Sequence, residues 1–212
     1  MAEFQFLDKR VQKTKIELFL TFFTLLEQMP YKDITIQSIL EHSNVGRATF
    51  YKHYTNKKNL AEDCIELLLK EFTIAYRTPY MGKSKFEFNQ LTSDEPFAAL
   101  LHIAKYHNFY LALMTPSLEL RFKEKLLQHL VTLYEQDFYF HENSHLTSYI
   151  NRYIVYGSAG LIIDWIEQGC PLSAVQFSKI LIDTITAQVH TVTIRRHIVE
   201  KETQRQKGFL EH

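Results

Sequence analysis

The sequence predicts an all-α protein of about nine helices. Three observations carry this. Only 11 of the 212 residues are glycine or proline, less than half the usual share of roughly 12%, so turns are few and the elements between them long. Apolar residues recur at steps of three and four over most of the chain, the spacing of one helical face. No segment alternates apolar and polar residues for long enough to mark a strand.

The first helix is expected from about Asp8 to Met29, with Ile16, Phe19, Leu20, Phe23 and Leu26 on one face and Pro30 as its stop. Thr35 is a candidate N-cap for a short second helix, with Ile36, Ile39 and Leu40 inward. Ser43-Asn44-Val45-Gly46 reads as a turn, and a third short helix covers about Arg47 to Tyr54. Asn56 can cap a fourth helix, from Lys57 to about Arg77, carrying Leu60, Cys64, Leu67 and Leu68 inward. Thr78-Pro79 ends it, and residues 79–95, polar and without period, read as a loop.

Pro96 suits the first turn of a helix to Met114, and Pro116 opens another from about Ser117 to Phe140. His141 to Thr147 is a polar connection. A strongly apolar helix follows from Tyr149 to Glu167, broken by Gly169-Cys170-Pro171. Ser173 and Gln176 have capping-box spacing, and the last helix is expected from Ala174 to beyond Arg195. These boundaries suggest a domain over 1–58 and a larger one over 59–205, with helix four, about 57–77, linking them.

Composition narrows the class. Hydrophobic residues make up 46% and charged residues 23%, ordinary for a soluble globular chain. No run of 18 apolar residues occurs, and MAEFQFLDKR lacks the basic and apolar regions of a secretory signal. The two cysteines, Cys64 and Cys170, make no disulfide framework. A cytoplasmic protein with reduced thiols, and with no membrane segment, is the expectation. The terminal Leu210-Glu211-His212 has the look of a cloning-tag stump and is set aside.

The most informative feature is the pair of short helices over residues 35–54. A recognition helix must be short, held steeply by a partner, and polar on its outer side. Val45, Phe50 and Tyr54 can face inward, and Ala48 is small enough for close approach to helix two. Arg47, Thr49, Tyr51, Lys52 and His53 remain for the outside. The formal net charge is zero, but it is a cancellation. The first 60 residues hold nine basic and six acidic residues, the remainder 15 and 18. From His42 to Ala61 there is no acidic residue, but there are Arg47, Lys52, Lys57 and Lys58. A positive head on a negative body suits a double-stranded DNA partner. On spacing alone, packed aromatics and a solvated basic face remain an alternative.

Residues 35–60 resemble the N-terminal segment of the TetR family of bacterial transcriptional regulators. The core of the match is Thr49-Phe50-Tyr51-x-His53-Tyr54-x-Asn56-Lys57-x-x-Leu60. Gly157 to Gly169 (GSAGLIIDWIEQG) also looks like the C-terminal region of one TetR-type subgroup. The resemblance implies that Thr35 and Gln37 meet the phosphate backbone and that Arg47, Thr49 and Lys52 point into the major groove. Arg47 could pair with a guanine edge, and Lys52 could do so or bind phosphate. Tyr51 and His53 would bond phosphates, and Lys57 would meet one at the N-terminus of helix four. Family members vary at Lys52, so no operator sequence carries over. Asn59 stands where an acidic residue is common.

The body offers no catalytic constellation: no phosphate loop, nucleophile elbow or metalloprotease motif. No enzyme, cofactor or metal is expected. Asp137, His141 and His145 share a helical spacing, but Asn143-Ser144 argues that the helix has ended there. Aromatic residues concentrate in the body. His102, Tyr106, Phe109, Tyr110, Phe122 and Tyr153 are candidates to line a ligand pocket, the alternative for each being ordinary core. In the last two helices, Tyr156, Gly157, Gly160, Ile163, Phe177, Ile180, Leu181 and Ile185 are candidates for a homodimer interface, as the resemblance implies; a helix pair inside one chain is the alternative. The reading is a dimeric regulator on a palindromic operator, a repressor released by an unknown small-molecule effector. Its rival is a coactivator or protein-interaction regulator without an inducer.

Overall fold

The structure, a computed structural model, describes residues 9–87, 97–115, 120–139, 145–186 and 191–194. Nine α-helices occur among them: α1 (Lys9–Gln28), α2 (Ile36–His42), α3 (Arg47–His53), α4 (Lys57–Arg77), α5 (Ala98–Lys105), α6 (His107–Met114), α7 (Phe122–Asp137), α8 (His145–Glu167) and α9 (Ala174–Thr186). Three short strands accompany them: β1 (Lys85–Glu87), β2 (Phe138–Tyr139) and β3 (Thr191–Ile194). The class is all-α, with one small sheet that the sequence reading leaves out. The chain divides into two compact units, 1–68 with 108–122, and 69–107 with 123–212. The proposed boundary at 58/59 therefore differs from this division, because most of α6 joins the N-terminal unit and α4 contributes to both.

In the N-terminal unit, α1 buries Leu18, Phe19, Phe22, Phe23, Leu25 and Leu26. Leu20, expected on the inner face, is exposed; the buried stripe runs through Leu18, Phe22 and Leu25 instead. Phe23 stacks on Phe109 with ring centroids 4.2 Å apart, and Tyr110 packs at 5.9 Å from Phe122. A 3-10 turn over Tyr31–Asp33 leads to α2. Thr35 caps α2: its hydroxyl accepts from the Ser38 amide at 3.0 Å, and Ser38 Oγ accepts from the Thr35 amide at 2.9 Å. Asn56 caps α4 by accepting from the Asn59 amide at 2.9 Å.

In the C-terminal unit, α8 ends in a Schellman arrangement. The Cys170 amide donates to the Trp165 carbonyl and the Gly169 amide to that of Ile166, with Gly169 at φ 75°. Ser173 and Gln176 form the expected capping box, and α9 follows. Trp165 stacks on Phe177 at 4.6 Å and donates to the Leu172 carbonyl at 3.1 Å.

Several boundaries move. The span expected as one helix up to Met114 is two, separated at Tyr106. The last helix stops at Thr186 rather than beyond Arg195. Thr191-Val192-Thr193-Ile194 is a run of β-branched residues, which favours a strand over further helix. That strand is central, pairing antiparallel with β1 (Phe86 opposite Val192) and with β2 (Phe138 opposite Ile194).

Candidate nucleic-acid interface

Helices α2 and α3 form a helix-turn-helix whose inner side is Ile39, Val45, Phe50 and Tyr54, all buried. Phe50 and Tyr54 are one turn apart, and their rings lie 5.9 Å from each other. The Tyr54 hydroxyl donates to Asp63 Oδ2 on α4 at 2.6 Å, and Lys15 on α1 bonds the same oxygen at 2.6 Å. Burial, reinforced by the Asp63 charge, pushes the Tyr54 phenol far above the tyrosine range, so it stays a donor.

The rest of α3 faces away from this core. Arg47, Ala48, Thr49, Tyr51 and Lys52 are exposed and His53 is half-buried. Ala48 thus does not serve the close helix contact its size suggests. Thr35 and Gln37 at the start of α2 are exposed too. Arg47 Nη2 donates to Gln37 Oε1 at 3.4 Å, and Gln37 donates to Glu41 at 2.7 Å. A 3.4 Å bond is weak, and a base edge or phosphate can displace it.

Lys57 departs from this pattern. The resemblance implies a phosphate contact, but the side chain is half-buried and its ammonium points into the head. Nζ donates to the carbonyls of Tyr31 at 2.8 Å, Ile34 at 2.7 Å and Lys32 at 3.5 Å. It also lies 4.2 Å from the centroid of the buried Tyr31 ring, in cation–π range.

The C-terminal unit contains a cavity of about 90 Å³. Phe72 and Tyr76 of α4, Leu130 and Tyr134 of α7, and Ile154 and Ala159 of α8 are among its walls, and no charged side chain lines it among the described residues. The neighbouring Asp137 is fully buried, and its carboxylate is satisfied: Arg77 donates through Nε at 2.8 Å and Nη2 at 2.9 Å, and Tyr80 donates at 2.7 Å. Burial pushes the phenols of Tyr76, Tyr80 and Tyr134 above the tyrosine range. The cavity is therefore apolar, with a few neutral hydroxyls.

Known proteins resemble this chain over parts of its length. Residues 97–187 match a family model described as a transcriptional regulator C-terminal region, TetR_C_8. That segment, under half of the chain, is similar to the C-terminal region of TetR-type regulators. A curated relative, the uncharacterized HTH-type transcriptional regulator YxbF of Bacillus subtilis strain 168, is 36% identical over 96 residues. That match spans 45% of this chain and only 24% of the relative. Among solved structures, the dihydroxyacetone kinase operon activator DhaS aligns with a TM-score of 0.61 at 18% identity, covering 83% of this chain and 96% of that one. A TetR transcriptional regulator of Streptococcus agalactiae 2603V aligns with a TM-score of 0.55 at 20% identity, covering 84% and 96%. At these identities the solved structures support the fold.

The six candidate pocket residues do not wall the cavity. Phe109, Tyr110 and Phe122 belong to the N-terminal unit, where they pack as core. His102 is half-buried, 4.9 Å from the Tyr106 ring, and Tyr153 is exposed. The actual walls come from helices far apart in sequence, a juxtaposition that aromatic content alone does not reveal. The candidate interface set splits in two. Ile163, Phe177, Leu181 and Ile185 are buried within the unit, a correction to their placement at an interface, because α8 and α9 use them to pack. Tyr156, Gly157, Gly160 and Ile180 are exposed. With them on α8 are Tyr149 (70% exposed) and Tyr153 (68%). Among the described residues, a Cβ added at Gly157 or Gly160 would meet nothing within 4 Å, so their packing does not require glycine at either position.

The remaining groups are accounted for more simply. Asp137 is committed to Arg77 and Tyr80, while His141 and the His145 side chain lie outside the described residues. Cys64 and Cys170 are free thiols, both pushed up by burial. No helix among the described residues is long and apolar enough to cross a membrane.

Proposed function

We propose that the chain is a homodimeric regulator that binds a palindromic operator through α3 and is released, as a repressor, by a small effector. The observation that carries this is α3 itself: Arg47, Ala48, Thr49, Tyr51 and Lys52 are exposed, and the 20 residues from His42 to Ala61 contain no carboxylate side chain. Arg47, Thr49 and Lys52 are the major-groove candidates, Lys52 for a base edge or a phosphate, and Thr35, Gln37, Tyr51 and His53 the phosphate contacts. The exposed face of α8, with Tyr149, Tyr153, Tyr156, Gly157 and Gly160, is the surface proposed to meet a second copy. A two-fold dimer would set two recognition helices about 34–36 Å apart, one turn of DNA.

The effector proposed for the cavity is small, uncharged and mostly apolar, because the Asp137 carboxylate is already neutralised by Arg77 and the described lining residues carry no charge. Helix α4 supplies Phe72 and Tyr76 to the cavity wall and Lys57 and Asp63 to the N-terminal unit. An effector that binds the DNA-incompetent state more tightly by about 1–3 kcal/mol would weaken DNA binding roughly 5–150-fold. The small size of the cavity favours a second reading, a protein-interaction regulator with no inducer.

Selection of bound duplexes from random DNA by the purified chain tests the function. The expected product is a palindrome with half-sites one turn apart, and a pool without enrichment sinks the reading. With that operator in hand, Arg47→Ala is expected to relax one position at a cost of about 1–3 kcal/mol. Equal losses on random DNA would contradict base readout.

A further inference from the structure

Helix α4 holds the helix-turn-helix at both of its ends, through polar contacts made by two of its own side chains. At the entry, the Lys57 ammonium collects the carbonyls of Tyr31 and Ile34 at 2.8 and 2.7 Å, with that of Lys32 at 3.5 Å. Ile34 immediately precedes Thr35, the N-cap of α2. At the exit, Asp63 accepts from the hydroxyl of Tyr54, the C-cap residue of α3, at 2.6 Å. Lys15 bonds the same Asp63 oxygen and ties α1 into the contact. The segment between the two anchors, Thr35 to His53, contains every DNA-contact candidate except Lys57.

We propose that Lys57 and Asp63 are positioning residues: together they fix the angle at which α2 and α3 are presented, and Lys57 does not contact phosphate. This rests on the DNA-binding reading above. The Lys57 charge is already committed. An ammonium has three N–H donors, and here three backbone carbonyls and an aromatic face surround it. To reach a phosphate, it would have to give up its bonds to two part-buried carbonyls, that of Tyr31, which also accepts from the Ile34 amide, and that of Ile34, a penalty an exposed lysine does not face. Lys52, exposed on α3, makes no such sacrifice. The two anchors also differ from ordinary core contacts. Val45 and Phe50 hold α3 against the unit without directional bonds, whereas hydrogen bonds at either end constrain tilt.

The salt dependence of binding separates positioning from phosphate contact. Each phosphate neutralised contributes a slope of about −0.9 to log Kobs against log salt concentration. The test uses the full chain, a random-sequence 30-base-pair duplex, and the variants Lys57→Met, Lys57→Gln, Asp63→Asn and Lys52→Ala. Positioning predicts that Lys52→Ala flattens the slope by about 0.9 per subunit, while both Lys57 variants weaken binding several-fold with the slope kept. It also predicts that amide exchange accelerates at residues 34–39 for the Lys57 variants, and at residues 50–55 for Asp63→Asn. A Lys57 variant that loses about 0.9 in slope, with exchange unchanged, overturns the proposal in favour of a phosphate contact. So does a variant that changes neither quantity. Gln preserves an N–H donor without the charge, so it supplies the answer if Met prevents folding. Failure of the wild-type chain to bind any duplex would count against the function, while the exchange pattern would still report whether the anchors hold the head.

Discussion

The roles of individual side chains depend on what each one already satisfies. Arg47 and Lys57 are both basic residues of the acid-free stretch, and they look equivalent in the sequence. Arg47 has one long contact to Gln37, whereas Lys57 is engaged by carbonyls 23 to 26 positions earlier in the chain. No local pattern encodes that separation, which is why the motif places both at DNA. His129 shows the same dependence on surroundings. Thr73 Oγ1 donates to the Leu69 carbonyl and lies 2.8 Å from His129 Nε2, so it accepts from that nitrogen's proton and fixes the neutral tautomer. Burial lowers the affinity of His129 for a second proton, helped by the nearby Arg77 charge and opposed by the Leu69 carbonyl. The unfolded chain therefore binds a proton below about pH 6.5 that the folded chain resists. Stability should fall as pH drops through that value, by at most about 1.4 kcal/mol per unit from this one site. Thermal melts from pH 7.5 to 5 should show His129→Gln with a shallower decline than wild type; parallel curves would assign the decline to other groups.

At the scale of elements, caps and breakers were legible because their chemistry is local. Thr35, Asn56 and Ser173 each bond an amide three residues on, and the structure uses all three. Gly169 takes the positive φ at the end of α8 that its place after the apolar run suggests. The small sheet was not legible. Strands of two to four residues exist only through partners over 50 positions away, such as Phe138 with Ile194. The β-branched run at Thr191–Ile194 was the available sign, and continuation of the α9 period obscured it. The Ser173 cap gives a local prediction. Its hydroxyl accepts from the Gln176 amide at 3.3 Å, and Gln176 Oε1 accepts from the Ser173 amide at 3.0 Å. Ser173→Ala should lower unfolding free energy by about 1 kcal/mol. Urea denaturation checks this, and a change of m-value as well as midpoint would show that more than a cap was lost.

For the whole molecule, the charge balance and the surface of α8 have a common consequence. A zero net charge gives no general attraction to DNA, so affinity must come from the local positive field of the head. One short helix supplies few contacts, and two heads on a palindrome multiply them. The surface that could join two copies is the one whose composition is otherwise unexplained. Tyr149, Tyr153 and Tyr156 stand exposed on α8 beside two glycines that nothing among the described residues crowds. Large rings left in water forgo burial worth about 25 cal/mol per Å², and a second copy of the same face would recover it. Tyr153→Glu places a charge in the middle of that face, while the exposed position keeps the fold unaffected. Light scattering at micromolar concentration should give twice the chain mass for wild type and the chain mass for the variant, with equal helical circular dichroism. The variant should also lose most of its affinity for a full palindrome and little for a single half-site. A wild-type chain that scatters as a monomer, or a dimer that survives Tyr153→Glu intact, removes α8 from the interface and with it the spacing argument for paired half-sites.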